Sequence, residues 1–119
     1  MVLKLVSIEQ QGIVHIAAEG NLTSANIDTA GPNPLETLLG GNWKSNRMLL
    51  DLSKTAYLDS CAVGWIIGTN RTIREGGGKL IIHSLQPPVR QLMDVLKVGR
   101  AVAIADGQAS AREALLSPG

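Results

Sequence analysis

From Arg47 onward the chain alternates between short apolar runs and helix-forming stretches, each closed by glycine or proline. Met48-Leu49-Leu50-Asp51-Leu52 is a brief, nearly continuous apolar run, which is how a buried strand reads. Cys61 to Glu75 carries helical spacing and stops at Gly76-Gly77-Gly78, and Lys79-Leu80-Ile81-Ile82-His83 is the next strand. Pro88 suits the first turn of a helix running to about Leu96, with Val89, Leu92, Met93 and Leu96 on one face. Ala101-Val102-Ala103-Ile104 reads as a last short strand and Ser110 to Leu116 as a closing helix.

The N-terminal part differs in kind. Leu3 to Ile8 and Ile13 to Ala18 are β-branched and roughly alternating around Gln10-Gln11-Gly12, so they read as a hairpin. Glu19-Gly20-Asn21-Leu22-Thr23 then leaves the sheet. Ala30-Gly31-Pro32-Asn33-Pro34 breaks any long helix, because proline locks φ and has no N–H to donate. A short helix over Leu35 to Leu39 ends at Gly40-Gly41. Strand–helix–strand repetition after an antiparallel hairpin predicts an α/β fold. The expected sheet is mixed, of four or five strands, with helices packed mainly on one face. At 119 residues and 45% apolar content, residues 1–119 are expected to form one domain around one core.

Composition narrows the function. A net charge of +1 gives no electrostatic reason to expect nucleic acid or an anionic membrane, and 3% aromatics without Phe make a base-stacking platform improbable. No run approaches the roughly 18–20 apolar residues that span a bilayer, so no direct membrane insertion is expected. The single cysteine cannot form an internal disulfide, and Met1-Val2-Leu3-Lys4-Leu5 does not open a signal peptide; both favour the cytoplasm. Without a secretory route the glycosylation patterns at Asn21 and Asn70 are accidental.

The chemistry concentrates between Asp51 and Gly64, where a polar loop follows the apolar run and Asp59-Ser60 opens a helix of small residues. A serine hydroxyl there faces the positive end of a helix, where unpaired N–H groups attract anions. The plain reading of Ser60 is an N-cap, worth ~1 kcal/mol; the sharper one is a phosphoacceptor. Trp65 has two readings as well. One helical stripe sets it outward with Cys61, Gly68 and Thr72, as a protein-binding anchor. The rival stripe, Ala62-Trp65-Ile66-Thr69-Ile73, buries it. Cys61 lies where a helix start favours thiolate, yet no second cysteine could resolve a redox cycle. A nucleotide-binding module has only the helix start in its favour. His15 and His83 stand on separate strands without acids at ligand spacing, and neither glycine-rich stretch carries the Lys-Ser/Thr of a phosphate loop. No catalytic set, metal site or cofactor fingerprint can be assembled, so no enzymatic activity and no cofactor are expected.

Leu50-Asp51-Leu52-Ser53, followed by Leu58-Asp59-Ser60 and Val63-Gly64, resembles the signature of STAS domains, the sulfate-transporter and anti-sigma-factor-antagonist family. Pro88 to Met93 and Ala111-Arg112-Glu113-Ala114-Leu115 resemble two of that family's helices. The resemblance implies that Ser60 is the phosphoacceptor of a partner-switching regulator. Its partner would be an anti-sigma-factor serine kinase, whose capture of the unmodified domain frees a sigma factor and whose product a phosphatase reverses. It further implies a partner surface of Asp59, Ser60, Cys61, Ala62, Gly64 and Trp65, with Asn21 and Thr23 from a neighbouring loop. Gly20-Asn21-Leu22-Thr23 departs from the family's Gly-Glu-Leu-Asp by replacing both acids. That leaves open a non-phosphorylated STAS interaction subunit of a transport or signalling assembly.

Overall fold

The computed structural model describes residues 2–9, 12–23 and 33–116. The expected Gln10-Gln11 turn and the break at Ala30-Gly31-Pro32 lie outside those residues. The strands are β1 (Val2–Ile8), β2 (Ile13–Glu19), β3 (Arg47–Lys54), β4 (Lys79–His83) and β5 (Ala103–Ala105). The helices are α1 (Pro34–Leu39), α2 (Ser60–Glu75), α3 (Pro87–Val95) and α4 (Gln108–Leu116), with 3-10 turns at Trp43–Ser45 and Val98–Arg100. The strands form one five-stranded sheet in the order β1-β2-β3-β4-β5. β1 is antiparallel to β2, and every later neighbour is parallel. The expected mixed α/β sheet is the one observed.

Strand alternation divides the apolar side chains between two faces. Val14, Ile16, Met48, Leu50, Leu80 and Ile82 point to one face and pack under α1, α2 and α3 through Leu35, Ile66, Val89 and Met93. Ile13, Leu49 and Ile81 point to the other, where α4 covers them with Ala111 and Leu115. The helices therefore lie mainly, not wholly, on one face. Asn33 caps α1 by accepting from the Leu35 amide at 2.9 Å, and Pro34 fills the first turn, where a missing N–H costs nothing.

The glycine run after α2 does more than stop a helix. A Cβ at Gly78 would collide with the carbonyl oxygens of Lys44 and Asn46, so glycine lets β4 begin against that turn. Several expected boundaries move: β2 keeps Glu19, β3 extends to Arg47–Lys54 and α2 starts at Ser60. The last strand begins at Ala103 rather than Ala101, and the closing helix at Gln108 rather than Ser110. α3 ends at Val95, leaving Leu96 46% exposed instead of on the buried face. The backbone turns at Leu96-Lys97, where Lys97 adopts a left-handed conformation with φ of 55°, so helical periodicity no longer aims Leu96 inward.

Candidate functional site

The site is built where β3 gives way to α2. The Asp51 carboxylate accepts from the Ser53 amide at 2.7 Å, turning the chain at the strand end. Thr55 is fully buried and donates its hydroxyl to the Ala18 carbonyl at 3.2 Å, which pins the outgoing loop against β2. Leu58 then forms a single parallel bridge with Leu22. The Leu22 amide donates to Tyr57 at 3.0 Å, and the Asp59 amide donates to Leu22 at 3.1 Å. The loop at 21–23 is thereby fastened beside the start of α2, although the two segments are far apart in sequence. Both leucines are buried, so a hydrophobic contact underlies the backbone pairing.

Asp59 is the N-cap. Its backbone is extended, at φ −103° and ψ 178°, and its carboxylate accepts from the Ala62 amide at 2.9 Å. Ser60 is the first helical residue and is exposed. This corrects the plain reading of Ser60 as the cap: the longer reach of Asp59 to the third helical amide takes that role and leaves the Ser60 hydroxyl outside it. No described residue hydrogen-bonds that hydroxyl. Cys61 is exposed, as is Gly64, which presents open space above its Cα.

Ala62 is a correction. It is fully buried because the side chain on the cap-bonded turn faces the core, so it cannot touch a partner. Trp65 falls between its two readings. Ala62, Ile66, Thr69 and Ile73 are buried, as the rival stripe requires, and Trp65 is half-buried against the same core. Its ring lines a small internal gap with Leu3, Leu35 and Met48, so much of it serves packing. Asn21 is exposed and Thr23 half-buried beside the helix start. Tyr57, 54% exposed and bonded through its carbonyl to Leu22, joins this surface. Sequence reading missed it; an aromatic in a short polar loop was the available signal.

Apart from the Asp59 carboxylate, charge flanks the site rather than entering it. Glu19, at the end of β2, meets Lys4 at 2.7 Å and Lys54 at 3.4 Å, and the Lys4 ammonium holds its carboxyl below the usual range. The two histidines lie on the α4 side of the sheet. His15 contacts Glu9 at 3.2 Å, and Glu9 also receives Arg112 at 3.1 Å. His83 is 2% exposed, with Nδ1 2.8 Å from the Ser84 hydroxyl. Burial pushes its pKa down, against the pull of Asp51. Among the described residues no three His, Cys, Asp or Glu side chains converge to hold a metal, and no helix is long and apolar enough to cross a membrane.

An exposed serine hydroxyl on a helix start that another residue caps is chemically able to accept a modification, and the exposed groups around it are able to contact a protein. The chain is 28% identical over 64 residues to the anti-sigma F factor antagonist of Paenibacillus polymyxa, a match covering 54% of this chain and 55% of that one. The chain thus spans about half the length of that relative. Among solved structures it resembles a STAS-domain anti-sigma-factor antagonist from Planctomyces limnophilus, with a TM-score of 0.75 at 16% identity over 97% of this chain and 98% of that one. It also resembles the anti-sigma factor antagonist SpoIIAA in its unphosphorylated form, with a TM-score of 0.68 at 15% identity over 99% and 100% of the two chains. At such identities these likenesses establish the fold alone. The family model of the STAS domain matches residues 4–111, and the chain belongs to the STAS family.

Proposed function

We propose that residues 1–119 act as one non-enzymatic, protein-binding regulatory domain of the anti-sigma-factor-antagonist kind, switched by phosphorylation of Ser60. The observation that carries this reading is the Ser60 hydroxyl: exposed, without a hydrogen-bond partner among the described residues, and on a helix start already capped by Asp59. In the reaction proposed, a partner serine kinase supplies ATP, Mg²⁺ and a base. The Ser60 oxygen forms the new bond to the γ-phosphorus, the bond to ADP breaks, and the hydroxyl proton passes to the base. A phosphatase would return the serine by adding water and releasing phosphate. SpoIIAA, with the same fold, has a structure in a phosphorylated form, which supports the reading by analogy.

Magnitudes explain how such a mark could switch binding without unfolding the domain. The phosphate adds about −1.5 to −2 charges. At an open helix start that charge gains about 0.3–1 kcal/mol from the backbone dipoles. Under a docked partner it would have to shed water beside Asp59, at a cost of several kcal/mol. The folded state therefore tolerates the phosphate and the complex does not. The proposed partner surface comprises Asp59, Ser60, Cys61, Gly64 and Tyr57, with Asn21, Thr23 and the exposed edge of Trp65. The replacement of both expected acids by Asn21 and Thr23 favours one second reading, a constitutive interaction subunit that is never phosphorylated.

Mass spectrometry of the protein from its own host, combined with a pull-down, separates the two. The switch expects phosphate on Ser60, constitutive binding by Ser60→Ala and weak binding by Ser60→Asp. Phosphate elsewhere, or Ser60→Asp binding like the parent, refutes it.

A further inference from the structure

On the sheet face opposite α2, a polar cavity lies beneath the start of α4. It measures about 60 Å³, and its polar walls are Ser7, His15, Asp51, His83 and Gln108. That is room for roughly two water molecules. The two histidines are 7% and 2% exposed, and Asp51 stands directly opposite His83 in the β3–β4 pairing. Nδ1 of His83 is bonded to the Ser84 hydroxyl at 2.8 Å. Its Nε2 has no protein partner among the described residues and opens on the cavity. A deeply buried imidazole therefore has a route for a proton but little water to solvate the charge.

α4 closes this cavity and is held unevenly. Ala111 and Leu115 pack on Ile13, Leu49 and Ile81, Arg112 reaches Glu9 at 3.1 Å, and the Ala114 carbonyl accepts from Lys79 at 3.1 Å. These anchors lie at Ala111 and beyond. The first turn meets the cavity through Gln108 and carries no acidic side chain, and the Ser110 hydroxyl is turned back on Gly107. A charge on His83 would therefore face the positive end of the helix dipole. Asp51 attracts that charge, although its carboxylate already accepts from the Ser53 amide at 2.7 Å. His15 opposes it, with its own ring 3.2 Å from Glu9. Asp106, beyond β5, is exposed and turned to Arg90 at 3.4 Å. Burial outweighs the pull of Asp51 and keeps the ring neutral at neutral pH.

We propose that His83 is an acid-operated latch on α4: protonation of its ring expels the first helical turn, Gln108 to Ser110, and opens the cavity to water. Lifting one turn hydrates the imidazolium while Ala111 and Leu115 keep the rest of the helix on the sheet. In the open form the ring regains its ordinary affinity for a proton. The open form therefore takes up the proton first, and it gains population as pH falls below 6.5. The backbone bond from the Ala111 amide to the Gly107 carbonyl, 3.0 Å when closed, is broken in the open form.

The test is amide hydrogen exchange on the full chain, ¹⁵N-labelled and followed by NMR, with rates corrected for the intrinsic effect of pH. The amides of 111–113, which bond back to the first turn, should open more readily than those in the middle of α2. Their opening constants should rise at least about fivefold from about pH 7 to about pH 5. His83→Gln should abolish the rise. Gln108→Glu, which sets a carboxylate at an exposed position over the ring, should cut it at least about twofold, and it decides the matter if circular dichroism shows that His83→Gln does not fold. Opening constants that are level with pH, a rise that survives in folded His83→Gln or in full in Gln108→Glu, or amides of 111–113 that open only together with α2 would each overturn the proposal.

Discussion

Replacing Trp65 by alanine separates packing from recognition with one melt. A fully buried Trp→Ala change costs about 3–5 kcal/mol, the lost transfer energy plus the cavity left behind. Trp65 is half-buried, against the core cluster and the small gap near Leu3 and Leu35, so roughly half of that, about 2 kcal/mol, is expected. For 119 residues, an unfolding entropy of about 2.1 cal/mol/K per residue makes the total about 0.25 kcal/mol/K. A loss of about 2 kcal/mol then lowers Tm by about 8 °C. The assay is a reversible thermal melt followed by circular dichroism, repeated in urea to check that the slope is unchanged. A fall of less than about 3 °C would mean that the ring is an outward anchor and that the packing described here contributes nothing. A fall beyond about 12 °C would make Trp65 wholly a core residue and remove it from the partner surface.

Asp59→Ala removes the α2 cap and should cost about 1 kcal/mol, read as a Tm lower by about 4 °C; an unchanged melt would show that the cap bond to Ala62 is dispensable. Thr55→Val keeps the shape but strips the Ala18 carbonyl of its donor, for a cost of about 1–3 kcal/mol, whereas Thr55→Ser should restore most of it; equal melts for the two variants would refute the role of the hydroxyl. His83 has a folded pKa below its ordinary 6.5, because burial disfavours the imidazolium. The unfolded chain therefore takes up the proton first, and stability should fall as pH drops from 6.5 towards the folded value. His83→Gln should flatten that fall, and a parent melt that is level over this window would contradict the assignment. Glu19, with its pKa depressed by Lys4 from 4.5, contributes stability above 4.5 that is lost at lower pH, so its effect lies outside the His83 window.

Local information carried much of the fold. β3, β4, α2 and the Pro-led start of α3 are legible because each is one short segment whose apolar period and flanking Gly or Pro belong to itself. The hairpin is legible for the same reason. Within the site, the Asp59-Ser60 helix start is visible in the letters, and so is the small-residue character of Cys61 and Gly64.

Which serine or aspartate caps the helix was not decided there, because both residue types suit the position and only backbone geometry assigns it to Asp59. Nor could periodicity place Trp65, since two overlapping stripes fit the same helix and only packing against the sheet and α1 sets the ring half-buried between them. The Leu22–Leu58 bridge, the Thr55–Ala18 bond and the Asn70 clamp on Ala101 join residues distant in sequence. No local pattern announces them. They bring Tyr57 and residues 21–23 to Ser60 and tie α2 to the turn that precedes β5. Apolar period and turn chemistry are properties of neighbours in the chain, and the sequence by itself determined what they govern. Hydrogen bonds across long loops form only once the core has brought their partners together, and those were left to the tertiary structure.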